Sequence, residues 1–270
     1  MTYKFVDFGQ KAESTPLSIR SIIRGNEMET YLKTDEFSFT TLSVSGRGST
    51  SYSPDIIEIP NRHGGLFRET RLNSRTIVIR ALVRASTNEA YREGMSKLNA
   101  YFLDTINVSL RFTDDPAHTY YGVPIRIEDE GEQSNRQIVE LEFLCADPFK
   151  YTVAKEITYS TAAGLDLDTD IKILADVIEL TFASTAEASD FTLTNNTTGK
   201  SIVFKGTAVS PVIQIKQRYD FIGSANGSNK INGLQIKYSD FDDLTIKKGD
   251  VLWASPAPQQ IKITYRGAKL

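Results

Sequence analysis

The stretch that most constrains this fold is residues 137–151, QIVELEFLCADPFKY. Val139, Leu141, Phe143 and Cys145 alternate with Glu140 and Glu142, the period of a strand that buries one face; only Leu144 breaks the pattern. The run stops at Ala146-Asp147-Pro148. Proline has no N–H for a ladder and holds the residue before it extended, so pairing has to end there. A domain boundary is expected at this exit. It puts residues 1–147 in one domain and 148–270 in another, with Asp147, Pro148 and Phe149 as the hinge. Replacing Pro148 should loosen the second domain's orientation with little effect on assembly of the first. An unchanged distance distribution in small-angle scattering would contradict that.

The two halves differ in charge chemistry. Residues 1–150 hold 13 Arg and 5 Lys against 21 acids, net −3; residues 151–270 hold 2 Arg and 11 Lys against 13 acids, net 0. Arginine forms planar, bidentate pairs and is enriched at protein interfaces, whereas lysine stays solvated. The first half reads as built to contact protein and the second to face water; drift in residue usage between two modules would leave the same split. With 270 residues, 40% hydrophobic and 24% charged, the chain can fill two ordinary globular domains. A net charge of −3 gives no basic footprint for nucleic acid. No signal-peptide pattern and no run of 18 apolar residues is present, so neither secretion nor a membrane span is expected.

Along the first domain, strands are expected at 3–8, 17–24, 37–44, 55–60, 75–84, 107–112 and 120–128. The clearest is RTIVIRALVR (75–84), with Ile77, Ile79, Ala81 and Val83 on one face. GRGSTSYSP (46–54) is a polar stretch closed by Pro54, and NRHGGLF (61–67) is a glycine turn. One helix, about 86–103, interrupts the strands. Ser86 and Glu89 have capping-box spacing, and Tyr91, Met95, Leu98 and Phe102 form a single apolar stripe. Gly94 inside it costs roughly 1 kcal/mol relative to alanine. EDEGE (128–132) is an acidic hairpin tip. Beyond 151, short strands at 157–160, 176–182, 190–195, 201–206, 211–217, 233–239 and 260–266, with no helix, point to a β-sandwich or jelly roll.

Catalytic patterns are missing. The chain has two histidines: His63 sits in the glycine turn and His118 follows Asp114-Asp115-Pro116, a solvated turn rather than a metal loop. Asp166, Asp168 and Asp170 imitate the start of a calcium loop, but Ile171 replaces the required glycine and Val177 the closing glutamate. Neither a phosphate-binding loop nor a nucleophile elbow occurs. The single cysteine, Cys145, is on the apolar side of its strand and is expected to be a buried thiol. No catalytic residue, cofactor or metal is therefore assigned.

Residues 107–151 resemble the distal tail proteins of long-tailed phages with non-contractile tails. The resemblance is carried by LRFTDDPAHTYYGVP, an acidic hairpin, and VELEFLCADPFKY. IPNRHGGLF, RTIVIRALV and the single helix before LRF agree with it, as do FTLTNNTTGKSIVFKG and LTIKKGDVLW in the second half. The last of these has Gly249-Asp250 where the family more often has Gly-Asn. The resemblance implies a mainly β chain: an N-terminal β-sandwich with one α-helix, then a galectin-like β-sandwich or jelly roll. It implies a virion protein at the distal end of the tail, made in the cytoplasm of the host bacterium. There it forms a homo-hexamer ring between the tail tube protein and the tail-associated (tail lysin) protein. DNA passes through the channel, and the outer domain anchors receptor-binding or baseplate proteins.

The polar stretch 46–54 with its neighbouring strands is a candidate inter-subunit arm, with Arg47, Ser51, Tyr52 and Pro54 as its marker residues; a plain surface loop is the other reading. A second functional class is a carbohydrate-binding module for host recognition, stacking sugar on Trp253, Tyr219 or Phe221. Trp253 lies beside Gly-Asp in a predicted strand, where a core position is expected. An enzyme such as a glycoside hydrolase is a third class, without a supporting cleft.

Overall fold

The computed structural model describes residues 19–48, 50–61, 63–103, 105–129, 134–159 and 164–270. The strand expected at 3–8 lies outside the described residues, as do the first two residues of the 17–24 strand, most of the acidic tip, and Ser160. The chain divides into two compact units, one of residues up to Lys150 and one of Tyr151–Lys269.

In the first unit, β1 (Ser21–Ile23), β2 (Asn26–Glu27), α1 (Met28–Tyr31) and β3 (Phe37–Ser45) come first. They are followed by the hairpin β4 (Tyr52–Glu58) and β5 (Gly65–Leu72), then β6 (Arg75–Ala85) and α2 (Asn88–Phe102). β7 (Val108–Phe112), β8 (Asp115–Asp129) and β9 (Arg136–Cys145) complete it. Seven of these strands form one antiparallel sheet in the order β2-β1-β7-β8-β9-β6-β3. β8 is the longest, pairing first with β7 and then with β9, with a bulge in each ladder. Bulges bend a strand. Both ends of the sheet consequently share one core, in which Ile23, Val108 and Leu110 join Ile77, Ile79, Val139, Leu141 and Phe143.

β9 buries Gln137, Val139, Leu141, Phe143 and Cys145, leaving Glu140 and Glu142 on the outer face, as its alternation dictates. On that face Arg80 of β6 reaches Glu140 at 2.7 Å. In β3, Phe37, Phe39 and Thr41 face inward; the register shift between Thr41 and Ser43 then sets Val44 opposite Ile79, where it packs partly buried against the same core.

The helix begins one residue later than its capping signature indicates. Thr87, not Ser86, is the N-cap and accepts from Ala90 N at 3.1 Å. Its buried face carries Tyr91, Gly94, Leu98, Tyr101 and Phe102. Gly94 is there for packing: a Cβ would come within 2.0 Å of the Phe37 ring. α1 carries no apolar period and was not expected; its Glu29 accepts from Thr41 N at 3.1 Å, covering an edge of β3. The turn expected over 113–122 is tighter, since Phe112 already faces Asp115 and Pro116 lies within β8.

After β10 (Lys150–Thr152), which begins on the last residue of the first unit, the second unit contains β11 (Lys155–Tyr159), β12 (Val177–Thr181), α3 (Thr185–Ser189), β13 (Asp190–Asn195), β14 (Lys200–Lys205) and β15 (Val212–Lys216). β16 (Phe221–Gly223), β17 (Leu252–Ser255), β18 (Gln260–Tyr265) and β19 (Ala268–Lys269) follow. A five-stranded sheet, β11-β18-β12-β15-β16, and a three-stranded sheet, β14-β13-β17, each bury one face. Phe182, just past β12, meets Phe191 of β13 at 5.4 Å between ring centroids, which joins the two faces in one core.

Three expectations fail in this unit. A short helix, α3, is present, capped by Ser184 on Glu187 N. Residues 233–239 are not a strand: 3-10 turns at Ile231–Gly233 and Ile236–Tyr238 satisfy the backbone locally, as in Tyr238 N to Gln235 O at 2.9 Å. Trp253 is not in the core but 46% exposed on β17.

Candidate interaction surface

Among the described residues, the β4–β5 hairpin forms a sheet of its own, pairing with no other strand. It begins earlier than the expected strand at 55–60: pairing runs from Tyr52↔Leu72 to Glu58↔Gly65, with a bulge at Asp55/Ile56. Pro54 stands inside the strand opposite Thr70, a place a proline can hold only where its missing N–H is not needed. β5 escaped the sequence reading because Gly65-Leu-Phe-Arg-Glu-Thr-Arg-Leu72 has no period of two. Both strands are exposed along nearly their whole length. Ile56 (53%), Phe67 (64%), Tyr52, Ile57 and Leu66 all meet solvent. A lone two-stranded hairpin is marginally stable in water, and apolar residues on both of its strands leave it no inner face.

The root of the hairpin is of a different character. Gly46 sits at φ +85°, and a Cβ there would meet Thr76 O at 1.9 Å, so only glycine lets this turn approach β6. Arg47 forks onto Asp114 with bonds of 2.8 and 2.7 Å, its guanidinium 4.9 Å above the Phe112 ring. Burial opposes the charge on Arg47, but Asp114 outweighs it and lifts the guanidinium pKa above its ordinary value. Beneath it Arg75, only 5% exposed, donates to Arg47 O at 2.6 Å and faces the Tyr120 ring. Burial raises the Tyr120 hydroxyl pKa, with Arg75 and Arg47 pulling the other way. Asn73 N to Ser51 O, 3.0 Å, closes the base.

The four marker residues thus separate. Arg47 is a root residue with its side chain largely buried, whereas Ser51, Tyr52 and Pro54 are exposed at the foot of the arm or on it. Leu66 and Phe67, at the end of the expected glycine turn, carry much of the apolar surface. Asp114 and Asp115 turn to different partners, Arg47 and His118, the latter at 2.6 Å.

In the segment expected to be a hinge, Asp147 Oδ1 accepts from Phe149 N at 3.1 Å, an Asx turn wrapped around Pro148. In the second unit the two arginines of the lysine-rich half converge. Arg266 forks onto Asp176 at 2.9 and 2.8 Å, and both Arg266 and Arg218 lie over the Tyr151 ring. The Asn195–Gly199 turn is tied to Gly249-Asp250: Asn195 Nδ2 donates to Asp250 Oδ2 at 2.9 Å, inside the core. Of the three aromatic residues considered for sugar stacking, Trp253 is on the three-stranded sheet, whereas Tyr219 and Phe221 flank the edge of the five-stranded one. They do not form one platform.

Residues 7–145 match the family model described as a phage tail protein RIFT-related domain. The chain belongs to this family of phage tail proteins. Among curated relatives, the distal tail protein of Bacillus phage SPP1 is 26% identical over 161 residues, 59% of this chain. That match spans 64% of the relative, less than two thirds of its length. Among solved structures, the SPP1 Dit protein, described as a paradigm of the hub adsorption apparatus in phages infecting Gram-positive bacteria, superposes with a TM-score of 0.70. It is 21% identical, with 92% of this chain and 98% of that one covered. A chain of the phage P2 baseplate in its activated conformation with calcium gives 0.54 at 11% identity, covering 92% and 98%. The mainly β fold expected from the sequence is that of these tail proteins, and the likeness to distal tail proteins of the virion holds.

Proposed function

We propose that this phage tail protein is a structural hub at the tail tip: copies of its first unit close into a ring between the tail tube protein and a tail-associated protein. The observation that carries this reading is the β4–β5 hairpin. Its root is locked by Gly46, Arg47 and Arg75, while its shaft shows apolar side chains that none of the described residues covers. A neighbouring subunit supplies the missing cover. The ring of six, the DNA channel and the attachment of receptor-binding proteins to a galectin-like second unit follow from the resemblance to distal tail proteins. No catalytic role is assigned.

The test is solution mass of the wild type and of an Ile56→Asp/Phe67→Asp double variant, alone and with the tube protein. Wild type should assemble into a ring of six, by itself or on addition of the partner. The variant should stay monomeric with an unchanged circular dichroism spectrum, because both side chains already face water. Rings formed equally well by the variant would remove the hairpin from the interface, and a wild type monomeric under every condition would defeat the hub reading.

A further inference from the structure

The outer face of the three-stranded sheet in the second unit is rich in hydroxyl side chains. Its inner face is apolar, with Phe191, Leu193, Ile202, Phe204, Leu252 and Ala254 buried. Its outer face follows from the ladder register. Trp253 is opposite Thr194, which is opposite Ser201; in the next row Ser255 is opposite Thr192, which is opposite Val203. Four hydroxyls therefore share this face with one half-exposed indole at the edge of the sheet, and the two rows hold no charge.

The charged residues of this sheet are at its margins and are already matched. Asp190 pairs with Lys205 at 3.5 Å across one end of the β13–β14 ladder. At the other end Lys200 is held by Asp240 at 2.8 Å, and this bond pulls the Asp240 carboxyl below its ordinary pKa against the opposing effect of burial. The free edge of β14 is covered by residues 235–240 through Gln235 N to Val203 O and Asp240 N to Ser201 O, so the face is bounded on that side. Across the rows from Trp253 to that border is about three strand spacings, roughly 14 Å.

An indole with one open face attracts the polarised C–H face of a pyranose ring, while hydroxyls around it exchange hydrogen bonds with ring hydroxyls. A charged ligand has no counter-charge here. A protein partner would be expected to find a mainly apolar patch rather than a hydroxyl strip. The geometry points to this face as a binding surface for an uncharged glycan, with Trp253 as the stacking platform and Thr194, Ser201, Thr192 and Ser255 as hydrogen-bonding partners. The surface belongs to the second unit alone and does not depend on ring formation; displayed in several copies, weak sites of this kind add by avidity.

Trp253 is the chain's single tryptophan, so indole emission reports on this face alone. Full-length protein is titrated with maltopentaose, cellopentaose and N-acetylchitopentaose while the emission maximum is followed. At least one series should give a saturable blue shift. Thr194→Arg, which keeps the indole but plants a charged side chain in the strip, should weaken that series by about tenfold or more. Trp253→Ala should lose retention on the same oligosaccharide coupled to resin while keeping the wild-type circular dichroism spectrum. Emission unmoved by all three sugars overturns the proposal. So does a shift that survives Thr194→Arg, or one that follows protein concentration without sugar, which would mark a contact between copies.

Discussion

Single residues in this protein are set by what lies within a few ångströms of them. Cys145 is fully buried at the end of β9, and burial pushes its thiol pKa up to about 11, with Arg75 opposing. An unfolded chain would ionise it near 9.0. Between those two values the folded state binds the extra proton, so this group withdraws stability as pH rises from 9 towards 11 and has no effect below. Cys145→Ser should therefore flatten the alkaline limb of a stability–pH curve measured in urea. Native protein at pH 8 should react with a thiol reagent only as fast as it unfolds; prompt labelling would show the strand end to be open. The chemistry of this residue was legible in the sequence because the period of the strand placed it inward. Trp253 was not legible. Its strand alternates Leu252, Trp253, Ala254, Ser255, and an isolated four-residue strand with large and small apolar residues at successive positions does not say which face is the core.

At the scale of elements, propensity and packing disagree most sharply at Gly94. Helix propensity alone makes Gly94→Ala favourable by roughly 1 kcal/mol. The Phe37 ring occupies the space a methyl group would need, so we expect the opposite sign. A loss of about 1–3 kcal/mol, typical of overpacking, should appear as a lower urea midpoint with an unchanged slope. A gain would mean that Phe37 can swing aside. The same contrast explains which elements could be read from the sequence. β6, β9, β13 and β18 each bury one face and expose the other, so period two is written into them. Among the described residues β5 pairs only with β4 and has no buried face, hence no period; residues 233–239 have a period, yet form 3-10 turns with no buried residue and meet β14 at single bonds instead of along a ladder. In β6, β9, β13 and β18 alternation goes with one buried face; in β5 the face and the alternation are absent together.

For the whole molecule, two hydrophobic cores follow one another along the chain with little interleaving: the first unit ends at Lys150 and the second runs from Tyr151 to Lys269. A fragment of residues 151–269 should then fold unaided, held by Ile178, Leu180, Phe191, Phe204, Ile261 and Ile263, all essentially inaccessible to water. Cooperative thermal unfolding with dispersed amide resonances would confirm this, and a fragment without a transition would show that the second unit borrows stability from the first.

The rigid root of the hairpin has a further consequence. An arm that reaches from one subunit to the next makes a head-to-tail contact, and such contacts either close into a ring or wind on as an open filament, according to the rotation between neighbours. If the hairpin is that arm, the close approach of Gly46 to β6 and the fork of Arg47 on Asp114 fix the bearing on which it leaves its own subunit. Copy number would then be an angular quantity, stored in a handful of atoms at the base of one turn, and a softened root would miscount.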